Sequence, residues 1–201
     1  MERRDRERSR QGRTFGAAAG LATLALLSPL AANEAHASCP SSSALLEAAC
    51  NRAARVAEEG TWDLYLTGYG WHIDGYSADD RRHLNAQSWG GGAGKHFTDT
   101  NGNEDILFAL VFMDSHNNPE PIAGWARQWY TSPVLGGLSV GGGYFAGFTA
   151  RSDILHYLPV PLALPVASIR YAKASVMGAF IPRIPGVSKG DVAFFWARYE
   201  F

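Results

Sequence analysis

Ile106-Leu107-Phe108-Ala109-Leu110-Val111-Phe112-Met113 is apolar at every position and is followed without a break by Asp114-Ser115. A short apolar run bounded by polar residues reads as a strand buried on both faces. An earlier run ends in the same manner at Trp71-His72. If both are strands of one sheet pointing the same way, His72, Asp114 and Ser115 reach one rim and bring together a base, a carboxylate and a hydroxyl. Such a set is the working end of an enzyme.

Outward from this stretch, helical periodicity is absent from Thr61 to the C-terminus. Strand-like runs of about ten residues recur near 61–73, 86–97, 105–114, 121–131, 136–150, 160–171, 174–183 and 191–201. The links after the second, fourth and sixth runs are tight and contain Asn101-Gly102, Ser132-Pro133 and Tyr171 to Lys173, while the others are mostly longer. Short turns at one end and long loops at the other are the pattern of an eight-stranded antiparallel outer-membrane β-barrel. In the last run, Ala193, Phe195, Ala197, Tyr199 and Phe201 share one face, and Arg198 and Glu200 take the other. A soluble sandwich edge would alternate likewise. The all-apolar run at 106–113 implies an interior as greasy as the lipid outside, unlike a water-filled porin, with an acyl chain as the natural occupant. Gly90, Gly91, Gly92, Gly94, Gly141, Gly143 and Gly147 either open that space or permit tight curvature.

With 201 residues, 46% hydrophobic and 18% charged, the composition fits one domain with a large apolar surface to bury. A net charge of −1 with no basic stripe past the first residues excludes nucleic acid as a partner. The N-terminus reads as a targeting segment: an arginine-rich start, an apolar run from Phe15 to Ala32, and Ala35-His36-Ala37 before the expected cleavage. A membrane anchor is the rival, disfavoured by Pro29. Residues 1–37 are therefore assigned to a signal peptide, 38–60 to an amphipathic helix and 61–201 to the barrel. Ser41-Ser42-Ser43 starts the helix, Gly60 stops it, and Leu45, Leu46, Ala49, Cys50, Ala53 and Val56 form its apolar face. That face suits either a core or a membrane surface. Cys39 and Cys50 are the only cysteines. Export leaves a disulfide between them open, with lipidation of Cys39 as the alternative.

Gly137-Leu138-Ser139-Val140-Gly141 matches the nucleophile elbow of esterases, but that motif needs a strand, a turn and a helix, whereas here it falls inside a strand. His83, His96, His116 and His156 have no partner signal and read as rim or loop residues. His72 stands apart because the first and third strands leave the N-terminal side together. A neutral imidazole can take a proton from a hydroxyl, and a carboxylate can orient it.

The chain resembles the lipid A palmitoyltransferases of the Gram-negative outer membrane. The similarity runs from Asp63-Leu64-Tyr65 to the terminus. It is carried by Trp71-His72, Trp89-Gly90-Gly91-Gly92, Phe112-x-Asp114-Ser115, Pro121-Ile122-Ala123-Gly124, Thr149-Ala150-Arg151, Tyr157-Leu158-Pro159-x-Pro161 and Ala167-Ser168. The resemblance implies an all-β barrel preceded by an amphipathic helix, with His72, Asp114 and Ser115 as catalytic residues. It implies a palmitoyl chain moved from a glycerophospholipid donor to a lipid A acceptor, a chain that works as a monomer in the bilayer, and no metal or redox cofactor. Prolines flank lipid-entry gaps in the family. Pro182 matches one, whereas Thr67 and Ser88 stand where others are expected. At the pocket floor, where studied members have glycine, this chain has Ala126. An extra methyl in a tight pocket costs ~1–3 kcal/mol if nothing moves, so the preferred chain is expected to be about one methylene shorter. Two rivals share the apolar interior: a non-catalytic lipid-binding barrel, and a phospholipase in which water replaces lipid A.

Overall fold

The computed structural model describes residues 39, 43–134, 136–185 and 188–201. The expected signal segment and its cleavage point lie outside the described residues, as do Ser41 and Ser42. Helix α1 (Ala44–Glu59) begins at Ser43, whose backbone is extended, and ends where the N–H of Gly60 donates to the Val56 carbonyl. Cys39 and Cys50 are joined by a disulfide with Cα atoms 5.8 Å apart, which occupies the thiol that lipidation of Cys39 would need. Val56 is fully buried, Arg52 reaches Asp105 at 3.8 Å, and Lys95 Nζ donates to the Ala57 carbonyl at 2.5 Å. These contacts seat α1 against the barrel, while Leu45 and Leu46 at its start stay exposed.

Strands β1 (Thr61–Asp74), β2 (Gly90–Thr98), β3 (Glu104–Met113), β4 (Pro119–Tyr130), β5 (Leu138–Thr149), β6 (Val160–Tyr171), β7 (Ala174–Ile181) and β8 (Asp191–Glu200) form a closed antiparallel barrel in chain order, β1 pairing with β8. Their bounds follow the sequence reading within a few residues, except at β2. That strand starts at Gly90 instead of 86, because the connection holds a short helix α2 (Ala78–His83). Ser77 and Asp80 cap it reciprocally: Asp80 N donates to Ser77 Oγ, and Ser77 N donates to the Asp80 carboxylate.

Alternation along the strands sorts the side chains. Trp62, Leu66, Trp71, Val111, Trp129, Phe148, Tyr171, Val176 and Tyr199 stand exposed on the outside. Inside, Tyr65, Ile106, Leu110, Ala126, Phe145, Leu164, Val166, Met177 and Ala179 form one buried cluster. The run at 106–113 is thus apolar on both faces, with Ile106 and Leu110 inward and Val111 and Met113 outward. The glycines serve close approach: a Cβ on Gly92 would run into the Ala109 carbonyl of the neighbouring strand.

At the rim next to α1, charge replaces hydrocarbon. Arg198 donates to Glu104 twice, at 2.7 and 3.0 Å, and Arg170 bonds the same carboxylate. His96 lies between Asp63 at 2.9 Å and Glu200 at 3.3 Å, so this inward-facing histidine is buried inside the barrel and is no loop residue. Its place was hidden because Asp63 and Glu200 come from strands distant in sequence. A buried charge is tolerated only when paired, and this paired layer closes one end of the barrel. Ser139 faces inward within β5 and is buried, which removes the elbow reading.

Candidate active site

The open end, opposite α1, carries the connections 75–89, 114–118, 150–159 and 182–190. His72 arrives on β1 paired with Val192, immediately before a bulge, and is buried to 8% exposure. Tyr76 packs its ring edge-on against the imidazole at 4.8 Å, and its hydroxyl donates to the Gly190 carbonyl at 3.4 Å. Sequence gave no signal for Tyr76, whose role depends on where two loops meet.

Asp114 and Ser115 follow the last residue of β3 in a tight turn that returns at Pro119. Asp114 N donates to Asn118 O at 2.8 Å, and Asn117 takes the left-handed conformation with φ 63°. Asp114 Oδ1 accepts from the backbone N–H groups of His116 and Asn118, both at 2.8 Å. An aspartate that binds its own turn in this way fixes the backbone behind it. The neighbouring loop is tied on as well, since Asn85 N donates to the Ser115 carbonyl at 2.8 Å.

Together these elements place Ser115 Oγ 3.2 Å from His72 Nε2. A neutral ring with its proton on Nδ1 accepts there from the serine hydroxyl. Asp114 does not bond the imidazole in this arrangement. Its Oδ1 is committed to the turn, and its Oδ2 is buried with no hydrogen-bond partner among the described residues. Of the three residues expected at one rim, His72 and Ser115 therefore meet, while Asp114 lies beside them at the cavity mouth without a hydrogen bond to the ring.

A cavity of about 440 Å³ runs from this rim into the barrel. Asp114, Ser115, His116, Glu120 and Arg151 line its mouth, and the apolar cluster lines its depth, with Ala126 among the deep residues. At the mouth Thr149 Oγ1 donates to Glu120 at 2.8 Å, and Arg151 forks onto Asp153 at 2.9 and 2.8 Å. That fork lowers the Asp153 carboxyl from its ordinary range, and a hydrogen bond from Lys189 lowers that of Asp80. Glu120 was not singled out in the sequence, because nothing there ties it to Thr149 on the next strand.

The barrel wall is uneven. β6 pairs with β7 only over Val166–Tyr171 and Ala174–Ala179, so Val160 to Pro165 have a ladder partner on the β5 side alone. Pro161 and Pro165 bring no N–H to that edge, and Pro182 ends the facing strand. The β1–β2 ladder likewise stops at Thr67 opposite Gly90, but there Thr67 Oγ1 donates to Ser88 O at 2.6 Å and Gly70 N to Ala86 O at 2.8 Å.

Residues 52–198 match the family model described as "Antimicrobial peptide resistance and lipid A acylation protein PagP". The chain belongs to the PagP family. A relative named lipid A acyltransferase PagP from Bordetella pertussis strain Tohama I is 41% identical over 154 residues, 76% of this chain and 83% of the relative. One of the same name from Legionella longbeachae is 41% identical over 160 residues, covering 78% and 68% of the two chains. Another, from Methylobacillus flagellatus, is 33% identical over 177 residues, covering 88% and 93%. The PagP match spans β1 through nearly all of β8 and so takes in the whole rim and cavity described above.

Proposed function

We propose that this protein is an outer-membrane enzyme that moves a palmitoyl-type acyl chain from a glycerophospholipid to lipid A. The observation that carries this reading is an apolar cavity closed below by ion pairs and opening beside the His72–Ser115 pair. A fatty chain held there keeps its carbonyl at the rim and its tail out of water.

In this mechanism the lipid A hydroxyl displaces Ser115 from His72 Nε2 and gives its proton to the ring as the oxygen attacks the ester carbonyl. The released Ser115 O–H donates to the developing oxyanion. The carboxylate of Asp114 at the same rim, with its Oδ2 unpartnered among the described residues, stabilises the imidazolium through its charge. Collapse of the tetrahedral intermediate breaks the bond to the glycerol oxygen. His72 returns its proton to that oxygen, leaving acylated lipid A and a lysophospholipid.

The wider molecule suits the same setting. Exposed aromatic and aliphatic side chains suit lipid contact all round the barrel, and Leu45 and Leu46 on α1 suit the membrane surface at the other rim. The gap between β6 and β7, edged by Pro182, is the lateral door for a lipid tail. A closed barrel offers no continuous strand edge to a second copy, in keeping with a monomer. Export by a cleaved signal peptide completes the reading.

The test supplies labelled phospholipid vesicles with and without lipid A and follows the label. Transfer to lipid A by the native protein, lost in both His72→Ala and Ser115→Ala while the barrel stays folded, is the expected result. Release of free fatty acid alone would make the protein a phospholipase, and uptake without reaction would make it a carrier.

A further inference from the structure

The cavity ends at a sharp chemical boundary. In the ladder Ile106 stands opposite Ala126, Ala126 opposite Phe145, and Phe145 opposite Leu164, so one row crosses four adjacent strands. All four side chains are buried and line the cavity. In the next inward-facing row towards α1, Glu104 stands opposite Gln128 on β3 and β4, and the row continues through Gly143 to Val166. Glu104 is bound by Arg198, and Gln128 accepts a hydrogen bond from Ser168 at 2.9 Å. Beneath β3 and β4 a hydrocarbon tail passing below the apolar row would lie against these polar groups and force them apart, so on that side the row is the last level a tail can reach.

Within that row the bulk is unequal. Ala126 contributes a single methyl, whereas Phe145 contributes a ring only 3% exposed. That ring packs edge-on against Phe108, which lies one inward position higher on β3, with centroids 5.5 Å apart. Its place is thereby fixed from the side, and it cannot swing away without losing that contact. Gly147, the next inward-facing residue above it on β5, adds no side chain to compete for the space. Phe145 is the largest side chain of that row.

We infer that Phe145 is a specificity-determining residue that sets the length of acyl chain the protein accepts, with a larger effect than Ala126. The inference rests on the reading of the cavity as an acyl-chain site. Removing the ring lowers the floor over part of the row, and partial collapse of the site limits the gain.

The test uses the full-length protein in phospholipid vesicles containing lipid A and an equal mixture of donors with saturated chains of graded length. Mass spectrometry reads the chains transferred by the native protein and by Phe145→Leu, Phe145→Ala and Ala126→Gly, each checked for a folded barrel by its heat-dependent shift on gels. The expected result is a longer preferred chain in both Phe145 variants, by about two methylenes or more in Phe145→Ala against about one in Ala126→Gly. Phe145→Leu, which keeps most of the packing, answers the question if Phe145→Ala does not fold. An unchanged length preference in the folded Phe145 variants, or a shift no larger than that of Ala126→Gly, overturns the inference. A native protein that transfers no chain to lipid A overturns the acyltransferase reading instead.

Discussion

Replacing Glu104 by glutamine removes one negative charge from the layer that closes the barrel beside α1. The carboxylate is 1% exposed and accepts from Arg198 at 2.7 and 3.0 Å and from Arg170. In Glu104→Gln, the Arg198 guanidinium keeps only a distant carboxylate, Asp63 at 3.8 Å, which His96 already engages. Breaking a buried pair by removing one partner costs ~3–5 kcal/mol, because the other charge stays desolvated and unmatched. A second change, Arg198→Met, removes that stranded cation and puts an adaptable apolar side chain in its place. The double variant should recover at least ~1 kcal/mol relative to Glu104→Gln. Guanidinium unfolding in detergent micelles, followed by tryptophan fluorescence, gives both numbers. A loss below ~1 kcal/mol in Glu104→Gln, with no recovery in the double variant, would refute the view that this layer is held by charge pairing.

Other outcomes follow from the same structure. Ala126→Gly should lengthen the transferred chain by about one methylene, read by mass spectrometry of lipid A from expressing cells; retention of the native chain length would count against a floor at that level. Cys50→Ser should speed protease cleavage near residues 39–50 while costing ~3 kcal/mol or less in stability, as befits a short disulfide loop. Equal cleavage in both forms would show that the disulfide does not restrain this segment. The Asp153 carboxyl is depressed by the Arg151 fork, so the pair's contribution is present above the ordinary carboxylate range and is lost as pH falls through the lowered value. Carboxyl-carbon NMR should find the Asp153 midpoint below ~3.9 in the native protein and nearer that value in Arg151→Gln; identical midpoints would discount the fork.

The barrel was legible in the sequence because its strands alternate and its connections differ in length, both local patterns. The meeting of His72 with Ser115 was legible because strand direction alone decides which ends share a rim. What escaped has a common physical character. α2 is started by a capping box, Ser77 with Asp80, in a stretch with no apolar stripe to announce it. The layer of Asp63, His96, Glu104, Arg170, Arg198 and Glu200 depends on pairings across the lumen, and each of these residues alone reads as an ordinary polar strand residue. The arrangement of Asp114 escaped for a different reason: an aspartate after a strand can equally orient an imidazole or bind its own turn, and only coordinates show that Oδ1 has done the second.

The same layer carries information about when the barrel is finished. Its acids and bases come from β1, β2, β3, β6 and β8, and Arg198, its most heavily bonded cation, lies only a few residues from the C-terminus. Until β8 docks beside β1, Glu104 lacks Arg198 and His96 lacks Glu200. A chain cut short before its last strand would carry these acids without their main counter-charge into a medium that cannot solvate them. Charge pairing thus makes the docking of β8 a condition for closing this end of the barrel.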